Sequence, residues 1–415
     1  MNQEQLEMLV YADWLPSKGP TPMGILSHTQ TKGRSTFRFQ YHEDWIAIQP
    51  KNNLDPDLHW YSGSQFSVAK PNVGIFLDSM PDRWGRTLLQ RRENLLAKAE
   101  ARHPKKLSEV DFLLGIEDVS RMGAIRFKTS ESGPFINQNK QYAVPPITKL
   151  RELQHGSRLL EEGDQADLSI ALQLLVAPGS SLSGARPKAN VVDEEGNLWI
   201  AKFPSKEDEI DQGSWEFLAY QLAIRAGIQM AESSRQLISG RHHTFLTRRF
   251  DRNLDQRIHF ASAMTMTGKH ESLLRDEVPS YLELAEFIQF SGEAPKEDLH
   301  QLWRRIIFNI SISNTDDHLI NHGFILGEKG WRLSPAYDLN PSIAKDHLAL
   351  HIDEDNGALD LELAKSVGTY FQLSLPVMDQ IIAEVKGAVT NWASEAKKLN
   401  ISRADQSLME PAFRV

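Results

Sequence analysis

The chain has 415 residues, of which 40% are hydrophobic and 24% are charged, as in an ordinary globular protein. Its 46 Lys and Arg residues against 55 Asp and Glu residues give a formal charge of −9, which excludes a surface that binds nucleic acid all over but not a local basic patch. The absence of cysteine excludes a disulfide scaffold, a thiolate metal site and a cysteine nucleophile.

The first residues, from Met1 to Trp14, lack the basic and apolar regions of a secretory signal. No apolar run approaches the roughly 18 residues that a transmembrane helix needs. These features predict a cytoplasmic protein without a membrane partner.

In chain order, runs of β-branched and aromatic residues first predict strands at Leu9–Trp14 and Ser35–Tyr41, with turn material from Pro16 to Gly33. Apolar residues at helical spacing then predict a helix over Trp84–Leu96. The N-terminal part is therefore expected to be rich in β-structure, followed by helices.

The next helix is expected to begin at Ser108, because Asp111 lies three residues later, which is the spacing of a capping box. The segment from Ser130 to Ile147 is rich in Ser, Asn, Gln, Gly and Pro. That composition predicts a linker or a long loop.

After Asp164 the pattern predicts a helix over Gln165–Val176 and then a Gly/Ser loop from Gly179 to Gly184. Strands at Lys188–Val192 and Leu198–Phe203 flank a Glu-Gly-Asn turn, which favours a hairpin.

Further along, the pattern predicts a helix from Ser214 to Ala226 and a hairpin-like pair from Ser234 to Phe250. From Leu282 onward the chain is predicted to be mostly helical, with an interruption between Asn309 and Pro341.

The densest polar cluster runs from Asn314 to His322, between an amphipathic helix and a short strand. In it Asn321 follows Asp316 by five residues, and Asp338 comes after the strand. A loop aspartate can accept a proton from a hydroxyl, and an asparagine carbonyl with a further aspartate can hold magnesium on nucleotide phosphates. The spacing is that of protein-kinase catalytic loops. Taken alone it is common, and the same residues also serve as turn and cap residues.

His318 and His322 lie four residues apart, as in zinc motifs, but no glutamate-bearing helix accompanies them and Gly323 argues against a continuous helix. A packed, structural His318 is therefore the preferred interpretation.

The Gly/Ser loop is a candidate phosphate-binding loop, because small residues let backbone amides approach phosphates closely. The hydroxyls of Ser181 and Ser183, the backbone at Gly184 and the ammonium of Lys188 would supply the contacts. It is not a Walker A loop, since Gly184 is not followed by Lys and Ser or Thr. An ordinary flexible turn remains the alternative.

Lys202 ends a hydrophobic strand soon after this loop, where a kinase places the lysine that grips the α- and β-phosphates. Glu216 begins the next helix and is its candidate partner. A surface lysine and a solvated helix glutamate remain the alternatives. The order of all these parts along the chain is nevertheless that of a kinase, which favours phosphoryl transfer.

At these residues the chain resembles the HipA family of serine/threonine kinase toxins from bacterial toxin–antitoxin pairs, and the resemblance covers nearly the whole chain. The N-terminal motifs that carry it are Ser79–Arg86, Leu113–Gly115 and Arg121–Ala124. The C-terminal motifs are Ser183–Lys188, Thr247–Arg252, Thr315–Asn321 and Ser334–Leu339.

The resemblance implies a protein kinase that uses ATP and Mg²⁺. It implies that Asp316 is the catalytic base, that Asn321 and Asp338 are metal ligands, and that Lys202 holds phosphates. The Arg249–Phe250 region would lie against the adenine as the hinge.

Ser181 matches the serine that some family members autophosphorylate, which expels the phosphate loop and silences the kinase. Arg248 departs from the pattern, because some members carry Glu at this position before the Arg-Phe-Asp-Arg run. The implied partners are a protein substrate, which in the family can be an aminoacyl-tRNA synthetase, and a small DNA-binding antitoxin of the HipB type. Operator DNA would be contacted mainly through that antitoxin.

Two further function classes remain open. One is a kinase-fold binding module that acts mainly as a transcriptional corepressor with its antitoxin, and the other is a small-molecule kinase on the same fold. The joint presence of Lys202, Asp316, Asn321 and Asp338 argues against an inactive module, which has no need of all four.

The expected fold is α+β. A β-rich N-terminal subdomain, residues 1–130, is followed by a connecting segment, residues 131–166, and a kinase-like domain, residues 167–415. That domain would have a small lobe at about 167–260 and a mostly helical lobe at about 261–415.

Overall fold

The computed structural model describes residues 4–14, 19–31, 34–48, 52–67, 69–138, 144–162, 172, 175, 186–272, 274 and 277–414. Helices hold 38% of the chain and strands 19%, so the predicted α+β class is confirmed. The chain divides into two compact units. Unit 1 comprises the described residues of Met1–Lys206 and Arg248–Ala261, and unit 2 those of Glu207–Thr247 and Ser262–Val415.

The strands are numbered in chain order. They are β1 (Glu4–Ala12), β2 (Thr21–Thr31), β3 (Arg34–Tyr41), β4 (Ile125–Lys128), β5 (Lys188–Val192), β6 (Leu198–Lys202), β7 (Ser233–Gln236), β8 (Thr244–Arg248), β9 (Arg252–Asn253), β10 (Gln256–Arg257), β11 (Phe260–Ser262), β12 (Gly323–Leu326) and β13 (Trp331–Leu333).

The helices are numbered in the same way. They are α1 (Glu43–Ile46), α2 (Gly74–Asp78), α3 (Arg83–Ala99), α4 (Glu109–Gly115), α5 (Leu150–Glu162), α6 (Gln212–Arg225), α7 (Ala263–Met266), α8 (Tyr281–Ser291), α9 (Pro295–Ser311), α10 (Leu361–Ser366), α11 (Leu375–Val389), α12 (Trp392–Lys398) and α13 (Arg403–Met409). Short 3-10 turns lie at Ile147–Lys149, Leu319–Asn321, Gly368–Phe371 and Glu410–Ala412. Among the described residues, no helix has both the length and the apolar character needed to cross a membrane.

Unit 1 begins with an antiparallel sheet in the order β3-β2-β1-β4. The prediction of turn material from Pro16 to Gly33 was wrong over Thr21–Thr31, which form β2. Pro22 is accommodated there because it faces Tyr11 at a register shift, where a proline does not interrupt the ladder. Gly24 is required for packing, since a side chain at this position would collide with the Phe39 ring.

The other local predictions in unit 1 are confirmed where the structure describes them. Helix α3 covers the predicted helix, and Ser108 and Asp111 form the predicted capping box at α4. Strands β5 and β6 pair as the predicted hairpin across a turn that begins at Asp193.

Unit 2 is mostly helical, and α9 lies at its centre. This helix begins with Pro295 at its first turn and carries an apolar face from Leu299 to Ile310, which packs against α8, α10 and α11. The buried Trp303 fixes the register against α10, because its indole N–H donates to the Ala364 carbonyl over 2.9 Å. The strand pairs β7–β8 and β12–β13 complete the unit.

Candidate functional site

The loop that carries the catalytic candidates starts from a tightly closed end of α9. The Asn314 N–H donates to the Asn309 carbonyl over 2.9 Å, and the Ser313 N–H donates to the Ile310 carbonyl over 3.2 Å. Ser313 itself has a φ of 49°. The helix therefore ends in a Schellman motif that has serine at the position where glycine is usual. This turn reverses the chain and directs the following residues into the site.

Asp316 is the exposed residue of this loop. Its side chain is 75% exposed, while Thr315 and Asp317 on either side are buried. The Asn321 side-chain amide donates to the Asp316 backbone carbonyl over 2.7 Å. The five-residue spacing therefore closes a loop that holds the Asp316 carboxylate toward solvent, where an acceptor hydroxyl can reach it.

Asn321 and Asp338 supply oxygen atoms suited to magnesium. Oδ1 of Asn321 is buried and has no hydrogen-bond partner among the described residues, because the side chain bonds through its NH₂ group. Asp338 lies at a φ of 58°, and its Oδ1 accepts from the Asn340 side chain over 3.3 Å. An unpaired amide oxygen and a carboxylate are both donor types that Mg²⁺ prefers.

The described residues contain no group of three His, Asp or Glu side chains that could hold a metal ion. A magnesium ion held by Asn321 and Asp338 would therefore take its remaining ligands from phosphate and water, which is usual for Mg²⁺ in nucleotide sites. The residues present fit such an ion.

The loop of Asp338 is tied directly to the loop of Asp316. The Tyr337 hydroxyl donates to the Ile320 carbonyl over 2.7 Å. The Arg305 guanidinium, which is buried on α9, donates to the Ser334 carbonyl over 2.5 Å. Both contacts fix the strand-loop segment that delivers Asp338.

Asp317 is buried and performs a different task from Asp316. It accepts hydrogen bonds from the Tyr281 hydroxyl and from the Ala349 N–H, the latter over 2.8 Å. Burial raises the pKa of Asp317 to about 6, although the Tyr281 hydroxyl acts in the opposite direction. The Asn309 side chain donates to the same Tyr281 hydroxyl over 2.9 Å. These contacts anchor the loop of Asp316 to α8 and α9.

The two histidines of the loop have different surroundings. His318 Nε2 lies 3.8 Å from Asp316 Oδ1, with the side chain 34% exposed. His322 is buried edge-on to the Tyr281 ring, and burial lowers its pKa to about 3, so the imidazole is neutral at physiological pH. The structural role predicted for His318 stays a prediction.

Lys188 and Lys202 face each other across the β5–β6 hairpin of unit 1. Lys188 is buried, and its ammonium lies 2.7 Å from the Asp82 carboxylate at the start of α3. The Trp84 indole N–H donates to the Lys188 carbonyl over 2.9 Å. This ion pair engages the Lys188 ammonium, and the nucleotide-binding roles of Lys188 and Lys202 stay predictions.

The Arg249 side chain is also committed within unit 1. Its guanidinium donates to the Ser120 carbonyl over 2.7 Å, to Asn190 Oδ1 over 3.0 Å and to the Asp251 carboxylate over 2.6 Å. The Arg249 backbone N–H donates to the Leu198 carbonyl over 2.8 Å, so any contact of Arg249 with adenine would come from its backbone carbonyl. Phe250 is half-buried, with its ring 5.8 Å from that of Phe260.

Asp251 is the centre of a buried charge cluster in unit 1. It accepts from the Gly123 N–H over 2.8 Å and from Arg252 over 2.7 Å, in addition to Arg249. Burial alone would raise the pKa of Asp251, but the two guanidinium groups outweigh it and hold the pKa well below its usual value. The cluster fixes the Arg-Phe-Asp-Arg run against the N-terminal part of the same unit.

Arg248, the position that departs from the family pattern, donates to Asn197 Oδ1 over 2.6 Å in the β5–β6 turn. Glu216 is buried on α6 of unit 2. The predicted helix over 165–176 and the loop residues Ser181, Ser183 and Gly184 lie outside the described residues, apart from the isolated positions 172 and 175.

Comparison with known proteins assigns the chain. A model of the family described as "HipA-like C-terminal domain" matches residues 180–393, which is just over half of the chain. The chain belongs to this HipA-like family. A "Putative kinase" of Haemophilus influenzae is 28% identical over 180 residues, which cover 39% of this chain and 52% of that protein. "Putative kinase Y4mE" of Sinorhizobium fredii is 24% identical over 192 residues, which cover 41% of this chain and 44% of that protein. The chain spans about half the length of these curated relatives.

A solved structure is similar in fold to nearly the whole of this chain. It is the complex of HipA, HipB and operator DNA from the toxin–antitoxin system of Shewanella oneidensis MR-1. The match covers 98% of this chain and 94% of that chain, with a TM-score of 0.67 and 17% identity. This likeness shows the fold, and it confirms the predicted kinase-like α+β architecture.

Every predicted site residue falls inside the matched HipA-like domain. Sequence reasoning missed the residues that support the site, namely Tyr281, Arg305, Asn309, Asp317, Tyr337 and Asn340. A signal was present for Asn309, because it is a polar residue within the apolar face of an amphipathic helix. The roles of the others depend on contacts between distant segments.

Proposed function

We propose that the chain is a serine/threonine protein kinase of the HipA type that uses ATP and Mg²⁺. The observation that carries this proposal is the geometry of the Asp316–Asn321 loop. A single side-chain hydrogen bond keeps the Asp316 carboxylate exposed while leaving the buried Oδ1 of Asn321 unpaired. That combination suits a base and a metal ligand held at fixed spacing.

In this proposal Asp316 accepts the proton of the acceptor hydroxyl through its carboxylate as that hydroxyl attacks the γ-phosphorus of ATP. The bond from this phosphorus to the oxygen that bridges to the β-phosphate breaks, and ADP leaves. Asn321 Oδ1 and the Asp338 carboxylate hold magnesium, which when bound neutralises charge on the phosphates. Lys202 holds the nucleotide phosphates, and Glu216 lies on the helix that the kinase order assigns to its partner. The backbone near Arg249 and Phe250 contacts adenine.

The loop containing Ser181, Ser183 and Gly184 would cover the phosphates, and Ser181 would be the site of autophosphorylation. We further propose a small DNA-binding antitoxin of the HipB type as partner, with operator DNA reached mainly through it. The presence of both in the structurally similar Shewanella complex supports this part. A corepressor role with the same partners is the second candidate function.

Intact-mass spectrometry before and after incubation with ATP and Mg²⁺ tests the proposal. The wild-type protein should gain one phosphoryl group, mapped by peptide analysis to the loop around Ser181, unless it is already phosphorylated when purified. Asp316→Asn should gain none and should still bind ATP, because it loses the base but keeps the backbone carbonyl that Asn321 contacts.

Asp346→Asn is the matched control, since it removes an exposed carboxylate in the same unit and should behave as the wild type. Phosphate gain by Asp316→Asn at the wild-type rate would refute the base assignment. Magnesium-dependent ATP binding without transfer to the chain or to a candidate protein would favour the corepressor role.

A further inference from the structure

The loop of Asp316 and the loop of Asp338 share one buried connector, Asn314. It is 1% exposed and uses both ends of its side-chain amide. Its NH₂ group donates to Asn309 Oδ1 over 3.0 Å, and its Oδ1 accepts from the Asn340 backbone N–H over 3.3 Å.

The fixed end of this connector is well anchored. Asn309 lies on α9 and donates through its own NH₂ group to the Tyr281 hydroxyl over 2.9 Å. That hydroxyl in turn donates to the buried Asp317. Asn314 is therefore held by a continuous buried chain of hydrogen bonds that begins at the residue beside the proposed base.

The Oδ1 end of the Asn314 side chain is connected through Asn340 to Asp338, the proposed metal ligand. The Asn340 side chain donates to Asp338 Oδ1 over 3.3 Å, so the residue that Asn314 holds by its backbone also orients the proposed metal-binding carboxylate. Oriented outer partners of this kind commonly alter metal affinity by about 10- to 100-fold when they are removed.

The backbone at Ser313 supports a positional role. A non-glycine residue at a φ of 49° is uncommon, and this conformation costs free energy. Because Ser313 adopts it, the chain turns at the end of α9 and the Asn314 side chain is buried. The Ser313 hydroxyl accepts from the Arg414 guanidinium over 3.1 Å, which helps to hold that conformation.

We propose that Asn314 is a positioning residue that sets the metal-binding loop against the catalytic loop, acting through Asn340 on Asp338. This inference rests on the proposed kinase function. Asn314 contacts neither nucleotide nor metal in this proposal. Its role is to keep the Asp338 carboxylate at a fixed place relative to Asp316.

The test compares wild type, Asn314→Ala and Asn340→Ala for the Mg²⁺ concentration that gives half-maximal ATP binding, and for kcat. We expect Asn314→Ala to need roughly threefold to tenfold more Mg²⁺, which corresponds to the loss of one buried hydrogen bond. It should lower kcat, with little change in ATP KM at saturating Mg²⁺. Asn340 is partly exposed, so the Asn340→Ala variant should fold. This variant should shift the Mg²⁺ requirement in the same direction as Asn314→Ala.

Amide hydrogen exchange supplies a readout that does not depend on activity. In Asn314→Ala the Asn340 amide should exchange faster, while the Leu333 amide, which donates to Asp298 Oδ2 over 3.0 Å, should not change. Asn72→Ala is the matched control. Asn72 is a buried asparagine in unit 1 whose Oδ1 accepts a backbone N–H over 2.8 Å, and its loss should leave the Mg²⁺ requirement unaltered.

The outcomes separate the inference from the function. If wild type transfers phosphate and both Asn variants keep its Mg²⁺ requirement, the positioning role is wrong and the kinase function stands. If Asn314→Ala exchanges faster at Asn340 but keeps both kcat and Mg²⁺ requirement, Asn314 is structural only. If wild type binds no nucleotide with Mg²⁺, the proposed function and the inference fall together.

Discussion

Asp316 and Asp317 are adjacent in sequence and have opposite surroundings. The Asp316 side chain is 75% exposed, whereas Asp317 is 1% exposed and bonded to Tyr281 and Ala349. A base must reach a substrate hydroxyl, and a buried carboxylate that already accepts two hydrogen bonds is unsuited to that task. The pair thus divides the work, with Asp317 anchoring the loop that presents Asp316.

Asp338→Asn tests the metal role without disturbing the backbone. Asparagine tolerates the positive φ of this position, and its Oδ1 can still accept from Asn340, so the change removes mainly the negative charge. Removing an outer partner of a metal ligand already costs about 10- to 100-fold in affinity, so loss of the ligand charge should weaken Mg²⁺-dependent ATP binding at least about tenfold. Calorimetric titration of ATP at limiting and saturating Mg²⁺ measures the effect.

The exposed Asp346→Asn serves again as the control for this experiment, because it removes one negative charge from unit 2, as Asp338→Asn does. A wild-type ATP affinity at limiting Mg²⁺ in Asp338→Asn would rule out Asp338 as a metal ligand.

At the residue scale, the sequence could indicate only features whose partners lie close together in the chain. The spacing of Asp316 and Asn321 indicated a loop of the kinase type, and in the structure the Asn321 side chain donates to the Asp316 backbone carbonyl. The contacts of Lys188 and Arg249 could not be predicted in this way. The partner of Lys188 is Asp82, 106 residues away, and Arg249 bonds Ser120, 129 residues away. No local pattern indicates that a basic side chain will be buried against a distant partner.

At the scale of elements, the end of α9 controls the site. Its Schellman motif places a serine at positive φ, a conformation in which an L-residue other than glycine is strained by about 1–2 kcal/mol. Because the loop of Asp316 begins at this turn, the conformation of the turn determines where Asn314 and Asp316 are placed. Helix α9 also carries Asn309 and Arg305, so one element positions both loops.

Ser313→Val should destabilise the protein more than Ser313→Gly. Both substitutions remove the hydroxyl that accepts from Arg414, but a β-branched residue is disfavoured at positive φ, whereas glycine adopts it freely. We expect a difference of at least about 1–2 kcal/mol in the free energy of unfolding of unit 2, measured by urea denaturation. Equal stability of the two variants would show that this turn carries no conformational strain.

Element prediction failed at β2 for a physical reason. Proline and glycine usually mark turns, but here Pro22 sits at an irregularity of the ladder and Gly24 leaves room for the Phe39 ring. Both features depend on the neighbouring strands, which the local sequence does not specify. The hairpins at β5–β6 and β7–β8 were predictable because alternation and turn residues lie within one short segment.

At the scale of the whole molecule, the motifs of the chain predicted the HipA-like fold, while the composition predicted only an ordinary globular protein. The domain boundaries at residues 130 and 166 stay a prediction, as does the division at 260. Residues 248–261 group with unit 1, although they follow residues 207–247 of unit 2 in the chain. A linear list of boundaries does not capture such an exchange, because it arises from the buried cluster around Asp251.

Buried ionisable groups make the stability of the whole molecule depend on pH in opposing directions. Burial raises the pKa values of Asp55 and Asp317 to about 6, and it lowers those of His259 and His322 to about 3. Between about pH 4 and 6, the contribution of the two carboxyl groups to the stability of the folded protein decreases as pH rises. The contribution of the two histidines increases over the same range. These effects largely offset each other below pH 6.5.

Glu117 acts at higher pH. It is buried, Oε2 has no hydrogen-bond partner among the described residues, and burial raises its pKa from 4.5 to about 8. The folded protein therefore holds a proton that the unfolded chain releases, so the stability contributed by Glu117 is complete below pH 4.5 and is lost as pH rises toward 8.

Glu117→Gln should remove this dependence, because the amide matches the neutral carboxyl group in shape and does not titrate. Relative to the variant, the wild type should lose roughly 1 kcal/mol of stability per pH unit between pH 5 and 8 and should level off above about pH 9. Thermal unfolding midpoints measured across this range give the comparison, and Glu131→Gln, an exposed glutamate of the same unit, should follow the wild type throughout. A constant difference between wild type and Glu117→Gln from pH 5 to 9 would mean that Glu117 is ionised in the folded protein, so its burial would have to be relieved by water or by a partner charge.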